Sequence, residues 1–425
     1  MNPAAFLFES GGMHGWALAT AAVVSASCAL VGTLLVVRRM SLAGDAISHA
    51  VLPGIAIAVL AGGRPGGPLV FAGAVAAALV TVWLTRGLRS AGGLAEDTSA
   101  GVVFTTLFAL GVVLVTAAAS RIDLDPACVL YGILELVPFD TVMLAGVALP
   151  RAFVAGLVVF ALLTAAAVAT WKLQLFVAFD EAAARAAGVP VGLVTAGLLG
   201  ATALAAVSGF EAVGAVLVVA MLVVPAAAAE LLVTRLHHMA CCAVALAVLG
   251  AAGGYVAAWH WNTNAAGMIA VVLGIEYVVA ATFAPEDGVV ARAIARGRHG
   301  WRVRCEDVLA LAWRTEEGGT ALRGRPRAVT DRVAAGWLRL TGRLESAAAG
   351  LQLTALGRRE AEMVVRSHRL WEAWLGRHVE LPLDHLHPPA EWVEHHIGAA
   401  LRQRIEAEVA GQSSDPHGRE IPPEA

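Results

Sequence analysis

The stretch "LVGTLLVVRRMSLAGDAISHAVLPGIAIAVL", Leu30 to Leu60, contains the end of one long apolar run, a pair of arginines, and the start of a second apolar run. Inside it, Asp45 and His49 are separated by one helical turn and therefore share a helix face. An ionisable pair within a membrane span normally faces a partner, a cavity or an ion path. Taken alone, this pair fits a hydrogen bond between helices and a divalent-metal ligand set equally well.

Composition divides the chain into two parts. Hydrophobic residues make up 58% of the 425 positions and the mean hydropathy is +0.71, too apolar for a protein that is soluble throughout. Residues 1–284 contain 10 Lys+Arg and 13 Asp+Glu, whereas the last 141 residues contain 20 and 20. The net charge of −3 provides no basic arm for nucleic acid, and the five cysteines lack the spacing of a disulfide framework or zinc knuckle. We therefore expect a membrane region followed by a soluble domain.

Nine apolar segments have the length, roughly 17–25 residues, that a membrane-spanning helix needs. They are residues 14–37, 45–62, 68–85, 99–119, 150–171, 191–208, 212–233, 239–259 and 266–284. Their Gly and Ala content predicts a tightly packed bundle. Lys and Arg fall at alternate ends, which places the N-terminus outside and the C-terminal region in the cytoplasm of an inner (plasma) membrane protein. Residues 121–149 fit either an external loop or a re-entrant half-helix.

The expected fold class is all-α: a polytopic membrane helix bundle of 8–9 transmembrane helices followed by a small, mainly helical cytoplasmic domain. Beyond a charged linker, hydrophobic positions recur with helical spacing in residues 306–317, 329–344, 357–379 and 389–410. Residues 344–357 fit a short hairpin, with Thr354 capping the next helix.

The opening stretch is followed, in order, by "EDTSAGVVFTTLFALGVVLV" (96–115), "FDEAAARAAGVPV" (179–191) and "FEAVGAVLVVAMLVVPAAAAELL" (210–232). Together these resemble the permease subunits of ABC transporters for zinc, manganese and iron(II). The resemblance implies that Asp45, His49 and Glu211 line the metal pathway, in a homodimer or paired permease fed by an extracytoplasmic metal-binding protein. Glu96 and Asp97 occupy another motif position, where helix capping is an equal alternative.

Residues 179–191 form an Ala-rich segment that Gly188 and Pro190 terminate, on the predicted cytoplasmic side. In ABC permeases such a segment is the coupling helix, and the resemblance assigns Asp180, Glu181 and Arg185 to contacts with the ATP-binding subunit. The chain has no G-x-x-x-x-G-K-[ST] motif. It is therefore predicted to be a transporter subunit and not an enzyme, with ATP hydrolysed by a separate subunit.

The C-terminal part contains "LQLTALGRREAEMVVRSHRLWEAWL" (351–375), "ELPLDHLHPPAEWVEHHI" (380–397) and "SDPHGREIP" (414–422). These resemble metal-dependent regulators of the diphtheria toxin repressor type. The resemblance implies metal ligands at Asp307, His368, Glu391, Glu394 and His395, and an ancillary metal site at Glu372 and His387. From the residues alone, Glu391, Glu394 and His395 share one helix face, for which a solvated acidic surface is the alternative.

Metal preference follows from the ligand at residue 391. Iron-type regulators have Cys where this chain has Glu391, and hard oxygen ligands favour Mn(II), with Zn(II) and Fe(II) as alternatives. A further carboxylate of the manganese type is replaced by Ala310. This leaves the number of metal ions open.

The two resemblances predict four regions: a transmembrane ABC permease domain (1–285), a linker (286–304), a degenerate winged-helix region (305–356) and a metal-binding and dimerisation domain (357–425). The winged-helix region is short for the family, so DNA binding is not expected, and its arginines are expected to meet anionic membrane lipid or the ATP-binding subunit instead. The predicted function is a metal-importer permease with a fused metal sensor that regulates transport. A membrane-tethered metal-dependent transcription regulator is the alternative, and a domain that only dimerises is a third.

Overall fold

The computed structural model describes residues 12–41, 44, 46, 50–63, 67–93, 96–119, 134–144, 146–317, 329–347, 350–379, 382, 390, 393–409 and 411–423. The chain divides into two compact units, Met1–Ala291 and Arg292–Ala425.

The first unit is built mainly of apolar helices. In chain order they are α1 (Met13–Val37), α2 (Leu52–Leu60), α3 (Pro68–Gly92), α4 (Glu96–Ala119), α5 (Arg151–Phe179), α6 (Glu181–Ala186), α7 (Val191–Leu232), α8 (Leu236–Trp261) and α9 (Ala265–Phe283). Within the described ranges, seven helices are long and apolar enough to cross a membrane, and the apolar helix Val216–Leu232 is shorter. The expected all-α, multi-pass membrane bundle is confirmed.

Three of the predicted spans differ in form from the rest. The predicted spans 191–208 and 212–233 are the two halves of α7, which is interrupted at Gly214 (φ 78°, ψ 163°). This backbone conformation is essentially restricted to glycine. The predicted span 45–62 contains the nine-residue helix α2 and several residues outside the described part of the chain. Seven long helices are counted, and not nine, because Val216–Leu232 and α2 are each too short within the described part of the chain.

Small residues bring the helices of the first unit into close contact. α1 packs against α5, α7 and α8. A Cβ atom added at Gly32 would lie 1.8 Å from the carbonyl oxygen of Leu222, and one at Gly54 would lie 2.1 Å from that of Gly73. Any side chain at Gly32 or Gly54 would therefore push two helices apart, as expected for small-residue packing in a membrane.

Residues 134–150 fold outside the long helices. A short 3-10 helix (Leu134–Phe139) leads into the antiparallel strands β1 (Thr141–Leu144) and β2 (Val147–Pro150). Of the two expectations for residues 121–149, a loop describes this part better than a half-helix, while residues 120–133 lie outside the described part.

The second unit combines helices with one hairpin. Its elements are α10 (Val289–Glu317, which begins before the unit boundary), α11 (Val329–Leu340), β3 (Leu344–Ala347), β4 (Gly350–Leu353), α12 (Ala355–His378), a 3-10 turn (Glu394–His396) and α13 (Ala399–Glu408). β3 and β4 pair antiparallel with Leu344 opposite Leu353. Thr354 caps α12, and its Oγ1 accepts a hydrogen bond from the Gly357 amide at 3.2 Å. The predicted hairpin and cap are confirmed.

The segment predicted as a linker, residues 286–304, is helical from Val289 onward, as part of α10. Ala and Arg are strong helix formers, and both recur through this segment. High charge made it look like a linker, but charge on an exposed helix face has the same appearance in sequence. The four domain limits remain predictions.

Two apolar clusters hold the second unit together. One joins Val308 and Leu309 of α10 to Leu338 of α11 and to the hairpin. The other joins Leu370 of α12 to Ile397 and Ile405. These clusters fix α10, α12 and the Glu394–His396 turn, which carry the polar side chains described next.

Candidate functional site

Histidine and carboxylate side chains are buried together in the second unit. α12 carries His368 and Glu372 one turn apart and therefore on one face. The Glu394–His396 turn contributes Glu394. His368, Glu372 and Glu394 are 3%, 1% and 6% exposed. Charged residues are rarely buried this deeply without partners, and here they are partners for one another.

Glu394 lies between two histidines. Its Oε2 is 2.5 Å from His368 Nδ1, and its Oε1 is 3.4 Å from His395 Nε2. Asp307, from α10, approaches the same nitrogen with its Oδ1 at 3.0 Å. Asp307, Glu394 and His395 each offer one ligand atom, and all three atoms lie within 4.8 Å of one another. The three side chains thus converge on a volume of the size a metal ion occupies.

A second set of contacts orients these groups. His395 Nδ1 is 2.7 Å from Glu306 Oε2, so Nε2 faces Asp307 and Glu394. Arg302 donates to the backbone carbonyl of His395 at 3.0 Å. Metal-binding histidines commonly have their other ring nitrogen held by a carboxylate in this way. Glu306 is a residue that the sequence pattern did not single out.

The carboxylates favour the protonated form of both histidines and so raise the pKa of each. Burial by itself lowers the pKa of His395, but hydrogen bonds to Asp307 and Glu306, together with the nearby Glu394 charge, outweigh burial and raise it to about 9. For His368, burial is likewise outweighed by Glu372 and Glu394, and the pKa is raised. Near neutral pH a proton therefore occupies His395 Nε2, the nitrogen that a metal would need.

The donor set fits a divalent transition metal. Two carboxylate oxygens and one imidazole nitrogen suit Mn(II), Fe(II) and Zn(II). Ala310, by contrast, is 2% exposed and packs with Val364 and Val365. The additional manganese-type carboxylate is thus replaced by an apolar core contact.

Of the two residues predicted for an ancillary site, the structure describes Glu372. Its Oε1 is 3.1 Å from His368 Nε2 and 3.9 Å from Nε2 of His417, in the C-terminal tail. The sequence pattern did not single out His417. Glu391 and His387, the other two predicted ligands, lie outside the described residues.

The predicted transport residues are described in part. Asp45 and His49 lie outside the described residues. Glu211 belongs to α7, three residues before the break at Gly214, and its side chain is not among those described. Of the predicted pathway, the structure therefore describes only the helix break at Gly214 and the backbone of Glu211.

The predicted coupling segment is a short exposed helix. Asp180 caps α6 by accepting a hydrogen bond from the Ala183 amide at 2.9 Å, and Glu181 pairs with Arg185. The inner face of α6 packs through Ala184 against Val177 and Val191. Asp180, Glu181 and Arg185 remain exposed to solvent.

An exposed aromatic residue precedes this helix. Phe179, the last residue of α5, is 90% exposed. The start of α7, which follows this short helix, accepts hydrogen bonds from two arginines. Arg38 donates to Thr195 Oγ1 at 2.7 Å, and Arg86 donates to the Gly192 carbonyl at 2.8 Å. Two arginines from separate predicted cytoplasmic ends thus anchor the start of α7, just after the short helix.

Comparisons with known proteins match the chain in two places. The family model "ABC 3 transport family" matches residues 13–284, and "Iron dependent repressor, metal binding and dimerisation domain" matches residues 354–423. The manganese transport system membrane protein MntD of Bacillus subtilis is 40% identical over 282 residues, covering 66% of this chain and 95% of that protein. The zinc transport system membrane protein TroD of Treponema pallidum is 36% identical over 275 residues, covering 64% and 75%.

A solved structure has the same fold in the membrane region. It is "PsaBC from Streptococcus pneumoniae in complex with Fab", with a TM-score of 0.57 and 27% identity, covering 66% of this chain and 95% of that one. The expected fusion is confirmed: the chain belongs to the ABC 3 transport family and has an iron-dependent-repressor-type metal-binding and dimerisation domain at its C-terminus.

Proposed function

We propose that this chain is the permease subunit of an ATP-binding cassette importer for a divalent transition metal, with Mn(II) as the preferred cargo and Zn(II) or Fe(II) as alternatives. The observation that carries the proposal is the convergence of Asp307, Glu394 and His395 in a domain fused to a permease. Relatives of the permease part are named for manganese and zinc transport.

The transport pathway in this proposal uses Asp45, His49 and Glu211. The break at Gly214 supports it, because transporters commonly bind their cargo where a spanning helix is interrupted. An interruption frees backbone carbonyls and admits polar side chains to the bundle interior. Asp45 and His49 supply an oxygen and a nitrogen donor one helical turn apart.

The motor in this proposal is a separate ATP-binding subunit that docks on α6, and two permease chains pair to receive two such subunits. Exposed Asp180, Glu181 and Arg185 supply polar contacts, and Phe179 supplies an apolar anchor. An extracytoplasmic binding protein delivers the metal to the opposite side. The positive-inside bias then assigns the C-terminal domain to the cytoplasm.

The C-terminal unit is proposed to bind the transported metal. Asp307, Glu394 and His395 would hold it, together with His368 and Glu391, while Glu372 and His387 form an ancillary site. A bound divalent cation would supply the positive charge that the protonated histidines otherwise provide. Oxygen-rich ligands favour Mn(II). Glu306 orients the His395 ring, and binding requires that the proton on Nε2 leave.

Feedback regulation of transport follows if metal binding at the C-terminal site is energetically coupled to the state of the transport pathway. Metal in the C-terminal unit biases the transporter toward a resting state only if it binds the transporting and resting states with different affinities. Coupling of about 1–3 kcal/mol is typical for such linkage and corresponds to roughly 5–150-fold in affinity. The same linkage requires that the resting state bind the cytoplasmic metal more tightly.

The proposal is tested by metal uptake into vesicles that contain this chain and its ATP-binding subunit. Wild type, Asp45→Ala and His395→Ala are compared, with and without metal on the ATP-binding side. We expect no uptake by Asp45→Ala, inhibition of wild type by cytoplasmic-side metal, and uninhibited uptake by His395→Ala. If His395→Ala is inhibited as wild type is, regulation by this site is wrong. Uptake by Asp45→Ala equal to that of wild type would refute the pathway.

A further inference from the structure

α11 has an apolar face that the protein leaves in solvent. Ala334, Ala335 and Leu338 are buried on its inner side. On the other side, Val329, Val333, Trp337 and Leu340 are 73%, 56%, 51% and 86% exposed. Their spacing of four, four and three residues aligns them along one helix face. We call these four residues the α11 stripe.

A groove of about 430 Å³ adjoins the stripe on the side of α10. From α11 it is lined by Val329, Thr330 and Val333, and from α10 by Arg296, Gly297, Gly300, Trp301 and Arg304. Both arginines are exposed. The apolar surface of the stripe therefore continues into a groove with a tryptophan in its wall and arginines at its margin.

Arginines outnumber acidic residues near this surface: Arg296 and Arg304 line the groove, and Asp331 is the one acidic residue of α11. Residues 292–304 contain five arginines and no acidic residue. Arg339 of α11 is exposed as well. Aliphatic and tryptophan side chains flanked by basic residues are the composition of segments that lie in the headgroup region of a bilayer. Each arginine near an anionic membrane surface favours binding by about 1 kcal/mol, roughly fivefold.

Chain connectivity places a bilayer within reach. Only five residues, 284–288, separate the end of the membrane helix α9 at Phe283 from the start of α10 at Val289. Five extended residues span at most about 18 Å, and Arg296 and Arg304 of the groove lie about 11 and 23 Å farther along α10. A surface close in sequence to a membrane anchor meets lipid at high effective concentration. We propose that the α11 stripe and its groove dock on the anionic headgroup layer of the membrane that anchors this chain.

This assignment is incompatible with DNA reading by α11. A helix that reads base edges presents hydrogen-bond donors and acceptors to the groove, whereas the stripe presents Val, Val, Trp and Leu. Lipid acyl chains and phosphates match both the apolar face and the arginines at its margin. A second copy of the chain would match the apolar face without requiring the arginines.

Hydrogen exchange of the full-length chain in nanodiscs tests the proposal, without an ATP-binding subunit or metal, so that its outcome is independent of transport. The chain is compared in discs of phosphatidylcholine alone and in discs that also contain phosphatidylglycerol. We expect amides in 329–340 to exchange several-fold more slowly in the anionic discs, and high salt to reverse part of this protection. Val333→Glu with Leu340→Glu is expected to remove it.

Leu356→Glu is the matched control, because Leu356 is a 49% exposed apolar residue of α12 outside the stripe. It is expected to leave the protection unchanged. Exchange in 355–378 reports whether each variant remains folded. Equal exchange of 329–340 in both kinds of disc overturns the proposal. Protection that persists in detergent and increases with protein concentration also overturns it, since that result identifies a second copy as the occupant.

Discussion

Glu394 Oε2 lies 2.5 Å from His368 Nδ1, and these side chains are 3% and 4% exposed. Through Oε1, the same carboxylate faces His395. One buried anion therefore holds two histidines that come from different segments of the chain. Both clusters, the one with Asp307 and the one with Glu372, depend on its charge.

We predict that Glu394→Gln lowers the Mn(II) affinity of the C-terminal unit by at least about 100-fold, because it removes a proposed metal ligand. Loss of a residue that only hydrogen-bonds a ligand already costs about 10–100-fold. Calorimetric titration in an Asp45→Ala background isolates this site from the transport pathway. His396→Ala is the control, because His396 is exposed and outside the group that converges on His395. An unchanged affinity in Glu394→Gln would show that the metal binds elsewhere.

We predict that Mn(II) affinity rises with pH. The pKa of His395 is raised to about 9 without metal, against about 6.5 in an unfolded chain. Stability from its protonated form is thus fully present below about pH 6.5 and is lost as pH rises through 9. Metal replaces that proton, so binding near neutral pH releases about one proton from His395. Calorimetry in buffers of different ionisation enthalpy measures the release, and Asp307→Asn should reduce it.

Gly214→Ala is predicted to destabilise the membrane unit by about 1–3 kcal/mol and to abolish transport, since alanine avoids the φ 78°, ψ 163° conformation. Thermal unfolding in detergent and uptake in vesicles measure the two effects. Gly197→Ala, in the same helix, is the matched control: its added Cβ meets open space. Gly197→Ala should be neutral or slightly stabilising. Equal behaviour of the two variants would contradict a functional break.

Arg369→Met is predicted to destabilise the C-terminal unit by about 1–3 kcal/mol, because it leaves the Glu420 carbonyl and the buried Asp415 carboxylate without their partner. Arg369 is 2% exposed, pairs with Glu317, and donates to the Glu420 carbonyl. Calorimetric unfolding of the full chain measures the loss. Arg359→Met changes an exposed arginine of the same helix and should stay within about 0.5 kcal/mol of wild type.

Phe179→Ala is predicted to weaken binding of the ATP-binding subunit by about 2 kcal/mol, the scale of an aromatic anchor in an interface. Phe179 is 90% exposed beside α6. Phe283→Ala is the control, because Phe283 is 68% exposed at the end of a membrane helix. The affinity is measured as binding of the soluble ATP-binding subunit to each permease variant, immobilised in nanodiscs. Equal loss in both variants would show a general effect of surface phenylalanines.

Most of the fold and part of the candidate site could be predicted from the sequence. Hydropathy located the long spans, and the division between the predicted spans 191–208 and 212–233 falls near the break in α7 at Gly214, because these features depend on local composition. Glu306 was missed because a motif assigns one residue at a time, and consecutive helix positions point about 100° apart. That Glu306 and Asp307 both reach His395 depends on how the Glu394–His396 turn packs against α10. The exposure of the α11 stripe likewise depends on tertiary packing. The ligand roles themselves remain predictions.

The hydrogen bonds from α12 to the backbone of residues 420–422 have a practical consequence for protein engineering. Arg366 donates to the Pro422 carbonyl and Arg369 to that of Glu420, so the backbone at these two positions belongs to the interior of the second unit. Shortening the chain before Glu420 would leave two guanidinium groups buried without these acceptors. Variants shortened before Glu420 to remove an apparently dispensable tail should therefore yield aggregated protein, and affinity tags placed beyond this tail need a flexible spacer.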